Sequence, residues 1–168
     1  MPLLDRDGLR ADIWRAGADD VAGADCILVA LSELEAALAG NGRGRRIGVA
    51  IANDVKAATL KPVLDQLELV SIAFPNHGDG RGFSLARQLR AAGFKGRLRA
   101  SGPLIADQFA FALACGFDEI DLPEALAARQ PVAHWLAALA SMSTSYQRGY
   151  GAQNILDARR LARARPAS

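Results

Sequence analysis

The sequence predicts an α/β fold, with βα units repeated around a mainly parallel sheet that is either open or curled into a partial barrel. Three features point there. Short apolar runs recur at intervals of roughly 20 to 28 residues, each followed by a stretch of helical periodicity. The loops between these segments are short. Hydrophobic residues make up 51% of the chain but aromatic ones only 6%, a balance rich in Ala and Leu that suits helices packed closely on a sheet. At 168 residues the chain is long enough to bury a core without disulfides or a structural metal. One domain spanning residues 1–168 is expected, with an N-terminal extension to about residue 25 and a basic tail from about residue 148.

In chain order, Cys26 to Leu31 (CILVAL) reads as a strand, and Ser32 is placed to cap the helix ELEAALA behind it. Gly40 to Arg46 turns into a strand at Ile47 to Ile51. A helix around Leu60 to Leu67 leads to a strand at Leu69 to Phe74. After the loop PNHGDGRGF, the run SLARQLRAAG sets Leu85, Leu89 and Ala92 on one helical face and ends at a glycine C-cap, Gly93. Leu98 to Ser101 is the next strand, and Pro103 opens the helix LIADQFAFALAC, apolar on most sides and therefore buried. Phe117 to Leu122 is a last strand, and Pro123 opens a helix to about Met142. The segment from Ile155, with Arg159, Arg160, Arg163 and Arg165, is either a short amphipathic helix or a solvated terminus.

Composition removes several functional classes. Twenty basic against eighteen acidic residues give a net charge of +2, far from the balance that phosphate neutralisation on nucleic acid requires. Cys26 and Cys115 lie far apart in apolar surroundings without CxxC spacing, and read as buried thiols. His77 and His134 have no second ligand at metal spacing. The start MPLLDRDGLRADIW lacks the basic and apolar regions of a secretory signal, and no apolar run is long enough to span a membrane, so a cytoplasmic protein is expected. GxSxG and GxxxxGK are both absent. GDGRGF lacks the third glycine of a dinucleotide fingerprint and is followed by arginines where an acidic ribose ligand belongs.

In parallel α/β folds ligands bind at the carboxyl ends of the strands, which selects the loop Pro75 to Gly82 and the turn Ser101 to Pro103. The same rule sets aside Arg43, Arg45 and Arg46 as a solvated turn at the opposite edge. Gly78, Gly80 and Gly82 let backbone N–H groups approach a ligand just before a helix N-terminus, where an anion is the natural guest. Arg81 adds a bidentate donor fork, or else pairs with Asp79, and Ser84 caps the helix or bonds the ligand. Arg97, Arg99 and Ser101 share one face of their strand, as do Glu119 and Asp121 of the next. If the strands are neighbours the two sets pair as a ladder; otherwise Arg99, nearer the carboxyl end, faces a ligand. Asp107, in the first turn of its helix, is the one acid–base candidate, with Gln108 beside it as donor and acceptor. The expected ligand set is Asp79, Gly80, Arg81, Gly82, Ser84, Arg99, Ser101, Gly102 and Gln108, with no metal and no cofactor assigned.

From Phe74 to Leu122 the chain resembles a bacterial family of uncharacterised proteins labelled as oxidoreductases of sulfite reduction and commonly encoded beside sulfite reductase. The likeness rests on Phe74 and Pro75, the DGRGFS run Asp79 to Ser84, Ala86, Arg87, Leu89 and Arg90, the pattern GF-G-LRA-G over Gly93 to Gly102, Asp107 and Gln108, and CGFD at Cys115 to Asp118. It extends more weakly to Asp12 to Trp14, to VALSELEAAL, and to Tyr146 and Gln147. Pro103 and Ala106 stand where the family pattern has an aspartate and an arginine. The resemblance implies an accessory role in assimilatory sulfur metabolism. The partners it implies are sulfite reductase or its reductant, or a small oxyanion, with self-association left open.

Overall fold

The computed structural model describes residues 2–17, 23–41, 44–121, 129 and 131–139. The apolar runs form strands β4 (Cys26–Ala30), β5 (Arg46–Ala52), β6 (Leu69–Ala73), β7 (Arg97–Ser101) and β8 (Glu119–Asp121), which lie parallel and side by side in sequence order. Three short strands that sequence patterning missed complete the sheet: β1 (Leu3–Asp5), β2 (Gly8–Arg10) and β3 (Arg15–Ala16). Strands of two or three residues are too short for a period-2 signal, so the segment read as an extension is part of the sheet. The order is β2-β1-β8-β7-β6-β5-β4-β3, with only β1 antiparallel to its neighbours β2 and β8. The α/β, mainly parallel reading holds, and the sheet curls as a half-barrel.

The connecting helices are less uniform than repeated βα units imply. Leu31–Glu33 is a 3-10 turn running into α1 (Leu34–Ala39), so Ser32 lies within the turn and does not cap; the Ala30 N–H instead donates to Glu33 Oε2 at 3.1 Å. The expected helix at Leu60 to Leu67 is one turn of α2 (Ala57–Leu60) followed by 3-10 structure over Lys61–Gln66, where Pro62 supplies no N–H donor. Helix α3 (Arg81–Ala91) begins three residues earlier than the periodicity indicates, placing Gly82 and Ser84 inside it. Its end follows expectation: Gly93 has φ +97°, its N–H donates to the Arg90 carbonyl, and the Phe94 N–H donates to the Leu89 carbonyl, a Schellman closure. Helix α4 (Ala106–Ala114) starts at the Ile105 N-cap, leaving Pro103 outside, and Phe111 on it is exposed. Residues 132–139 form α5, whose Trp135 packs against Phe109. The remainder of the helix expected from Pro123, and the basic tail, lie outside the described residues.

Alternation divides the sheet into two faces. Ile27, Val29, Ile47, Val49, Ile51, Val70, Ile72, Leu98, Ala100 and Ile120 turn toward the helices and form the main core with Leu85, Leu89 and Phe109. Glycines set the closest approaches. A Cβ on Gly82 would enter the Phe74 ring, and Phe74 in turn packs on Phe83 and Phe117. Gly102 has φ +131°, and a Cβ there would collide with the Phe74 carbonyl oxygen. At the amino ends of the strands Arg90 acts as a clasp. Its Nε donates to the Gly116 carbonyl (3.0 Å), its Nη1 to the Phe94 and Gly96 carbonyls (2.9 and 2.7 Å), and its Nη2 to Asp118 (2.6 Å).

On the face away from the helices the strands stack in register. One row runs Ala30, Ala50, Ser71, Arg99 and Glu119; the row nearer the carboxyl ends runs Ala52, Ala73, Ser101 and Asp121. Arg99 is only 2% exposed, and its Nε donates to Glu119 (2.8 Å) while Nη1 and Nη2 grip both oxygens of Asp12 (2.9 and 3.0 Å). Burial works against its charge, but the Asp12 and Glu119 carboxylates outweigh it, so its pKa is raised above the ordinary arginine value. Arg97 adds a second bond to Glu119 at 2.6 Å. Asp12 thereby holds the segment carrying Trp14, which packs against Cys26 and Leu69 over Gly48, where a Cβ would meet the indole at 3.0 Å. Both cysteines are free and buried. Replacing Arg99 by Leu strands the Asp12 carboxylate and leaves Glu119 with Arg97 alone, and is expected to cost about 3–5 kcal/mol in urea unfolding. Gly102→Ala is expected to lose ~1–3 kcal/mol from backbone strain alone, read as a lower thermal midpoint with native circular dichroism retained at 20 °C as a rough working temperature.

Candidate functional site

The carboxyl ends of β5 and β6 lead into two loops that meet beside α3. After Ala52 the chain turns through Asn53 and Asp54 to Lys56; after Ala73 it passes through 74–80 to the N-terminus of α3. Between them is a cleft of about 330 Å³ whose lining includes Asn53, Asp54, Lys56, Arg81, Ser84 and Gln88. Asn53 is buried, and its Nδ2 makes no close hydrogen bond among the described residues, although it faces the Asp79 carboxylate that it helps to hold ionised. An amide N–H₂ kept dry and unpaired costs on the order of 1–3 kcal/mol, which makes this donor the most demanding group in the cleft.

The glycine loop is held by its own polar groups. Asn76 Oδ1 accepts from the Gly78 N–H (3.0 Å), and the Asp79 N–H donates to the Asn76 carbonyl. Gln108 is spent on the scaffold: its Nε2 donates to the His77 carbonyl (2.7 Å) and its Oε1 accepts from the Ile105 N–H (3.2 Å), tying the loop to α4. Asp79 forms a bidentate pair with Arg81, at 3.0 Å from Nε to Oδ1 and 2.6 Å from Nη2 to Oδ2, and also accepts from the Arg81 N–H. The Arg81 side chain, with help from Asn53, holds the Asp79 carboxyl far below the usual carboxylate range, and Asp79 raises the pKa of Arg81 in return. The Arg81 side chain remains 60% exposed, so the pair is screened by water and can exchange partners at little cost.

These positions sort the expected ligand residues. Arg81 and Ser84 line the cleft, Asp79 bears on it only as the partner of Arg81, and Gly80 is the N-cap of α3. Gly82 is buried against Phe74, so its missing side chain serves packing and not approach to a ligand. Arg99 is removed from the rim: it is a buried member of the ladder with Glu119 and Asp12, the alternative that strand alternation left open. Ser101 lies on the opposite sheet face, where its hydroxyl donates to Asp121 Oδ2 (3.2 Å), and Gly102 serves the close passage beside Phe74. Asp107 is exposed in the first turn of α4, where the helix dipole accounts for it.

Sequence reasoning missed Asn53 and Lys56, and read Asp121 only as a possible member of the charge ladder. Asn53 and Lys56 belong to the loop after β5, which the strand-end rule covers, but a lone Asn and a lone Lys carry no spacing signal. Asp121 is buried, and its Oδ1 has no partner among the described residues. Burial raises its pKa, opposed by the Ser101 hydrogen bond and the Arg99 charge and reinforced by Asp12. Among the described residues no group of histidines, cysteines or carboxylates could hold a metal, and no helix is long and apolar enough to cross a membrane.

No curated protein matches the chain. The profile of a family described as a bacterial protein of unknown function, DUF934, matches residues 48–156, taking in β5 to β8, the glycine loop and the cleft described above. That span is well over half of the sequence, and the chain belongs to the DUF934 family.

Proposed function

We propose that this protein binds a small oxyanion in the cleft between α2 and α3 and serves sulfite reduction in assimilatory sulfur metabolism as an accessory protein. The observation that carries the binding reading is the convergence of Lys56, Arg81 and the buried Asn53 amide, whose Nδ2 makes no close hydrogen bond among the described residues, on one cleft beside the N-terminus of an 11-residue helix. An amide donor, two cations and the positive end of a helix dipole are the chemical complement of a tetrahedral or pyramidal oxyanion. Asp79 occupies the Arg81 fork when no ligand is present, so binding exchanges one carboxylate for another anion on a guanidinium that stays charged. The choice of anion follows the resemblance stated above: sulfite, sulfate or a sulfate- or phosphate-bearing metabolite. Asp107, the acid–base candidate of the sequence reading, stands in the first turn of α4 and does not line the cleft.

A second reading has a specific observation behind it. Pro75 to Gly78 and Arg81 are exposed, while Gln108 and Asn76 fix the loop. A rigid, exposed loop with a charged tip is a recognition surface for a protein partner, here sulfite reductase or its reductant.

Calorimetric titration at low ionic strength with sulfite, sulfate, phosphate and adenylylsulfate separates the two. The oxyanion reading expects saturable binding that weakens about tenfold in Arg81→Ala and in Lys56→Ala, as loss of one charge-assisted contact implies. Asp79→Asn removes the competing carboxylate and is expected to tighten binding. Added salt should weaken binding, because the cations sit at an exposed cleft. Heat signals that are unchanged in Arg81→Ala would sink the proposal. Co-purification with sulfite reductase that is lost in Arg81→Ala, without anion binding, would establish the docking reading in its place.

A further inference from the structure

A cavity of about 440 Å³ lies on the helix-free face, between the N-terminal segment and the sheet. Four guanidiniums line it, those of Arg10, Arg46, Arg97 and Arg99, against one carboxylate, Glu119. Three of the four are engaged. Arg99 spends its fork on Asp12 and Glu119, Arg97 bonds Glu119 at 2.6 Å, and Arg10 pairs with Asp5 at 2.9 Å. Three carboxylates thus answer three cations. Arg46 is left over: it is exposed, and its side chain has no hydrogen bond or ion pair among the described residues.

Arg46 does not belong to the solvated turn that its spacing suggests. It is the first residue of β5 and shares a sheet face with Gly48, over which Trp14 lies. The rest of the lining is largely apolar: Leu3 and Trp14, both buried, and Ile13, an aliphatic side chain left 54% exposed. A guanidinium that shares a concave wall with an indole and aliphatic carbon attracts an anion more strongly than one surrounded by open water. The volume is that of a small-molecule site. The N-terminal segment supplies one wall, so the enclosure does not depend on the loops at the strand ends, and no residue is shared with the Arg81 cleft.

From this geometry we infer that the cavity is a second ligand site, for a small organic monoanion whose carboxylate bonds the Arg46 guanidinium while its apolar body lies against Trp14 and Ile13. One unanswered cation selects a single negative charge. The planar fork of a guanidinium matches the two oxygens of a carboxylate, which makes that head group a better fit than a spherical anion. The indole on the wall favours a ring as the body. Arg97 and Arg99 take no part in holding the guest, because their donors are already spent on the ladder.

The test is an amide-resolved NMR titration of the full chain at low ionic strength with benzoate. Benzylamine is the charge-reversed control, and acetate is the head group alone. Saturable shifts at Ala11, Ile13, Trp14 and Arg46 are expected with benzoate and not with benzylamine, and acetate should bind about tenfold more weakly. Arg46→Gln removes a charge that no internal pair uses, so it should keep the thermal midpoint while weakening benzoate about tenfold. Ile13→Ser should weaken benzoate and leave acetate unchanged. Unmoved amides, equal shifts with benzylamine, or an unchanged benzoate affinity in Arg46→Gln would each overturn the inference, and acetate binding as tightly as benzoate would overturn the apolar subsite. The shifts are read at residues that do not line the Arg81 cleft, so none of these outcomes depends on whether that cleft binds an oxyanion.

Discussion

The buried guanidinium of Arg99 is the constraint on which the helix-free face is organised. A charge at 2% exposure persists only if its donors are met, and Asp12 and Glu119 meet them from two separate parts of the chain. Glu119 lies on the adjacent strand, so that contact reinforces pairing already present. Asp12 lies 87 residues away in sequence, so that contact fixes where the N-terminal segment crosses the sheet. Trp14 follows two residues later and covers Cys26 and Leu69, and β3 then reaches the far edge beside β4. The Arg99 to Asp12 bond adds a buried polar anchor to a segment whose strand ladders are only two or three residues long.

The two ends of the parallel strands carry different work. At the amino ends Arg90 gathers the carbonyls of Phe94, Gly96 and Gly116 together with Asp118, closing the α3–β7 and α4–β8 turns with a single side chain. Gly116, at φ +103°, allows the approach, since a Cβ there would press on Arg90 at 2.7 Å. At the carboxyl ends the polar groups are only partly satisfied: Asn53 and Asp121 each leave a buried atom unpaired, and Arg81 is held by an exposed, exchangeable partner. Saturated hydrogen bonding at one end and residual demand at the other is the distribution expected when one end maintains the fold and the other meets a ligand.

Strands β4 to β6 were legible as apolar runs, and β7 and β8 because charged and apolar residues alternate along them. Helix limits were less so: Ser84 resembles an N-cap, but Gly80 takes that place because the Asp79 carboxylate accepts the Arg81 N–H and starts the helix one turn earlier. Pro103 resembles a first helical residue, yet Gly102 at positive φ sends the chain past Phe74 before the helix can begin. The strand alternation of Arg97, Arg99, Glu119 and Asp121 was readable, but whether the charges faced one another or a ligand depended on strand adjacency, which spacing alone does not fix. Asn53 was invisible for a simpler reason. Its demand arises from burial, and burial is a property of the folded chain.

Much of the DGRGFS to CGFD resemblance consists of residues with structural duties. Gly82 admits Phe74, Arg90 and Asp118 form the clasp, Gln108 ties the loop, and Gly93 ends α3. Removing these from the functional ledger leaves Asp79, Arg81 and Ser84 as the motif residues that face solvent at a strand end, together with Asn53 and Lys56 outside the motif. A long shared motif is therefore compatible with a small site, since the glycine and arginine positions that make the family recognisable are dictated mainly by close backbone passages. The ladder argues the same way from the other face. Arg97 and Arg99 neutralise Glu119 so completely that they have little left to offer a ligand, and the series ends where the Ser101 hydroxyl donates to Asp121.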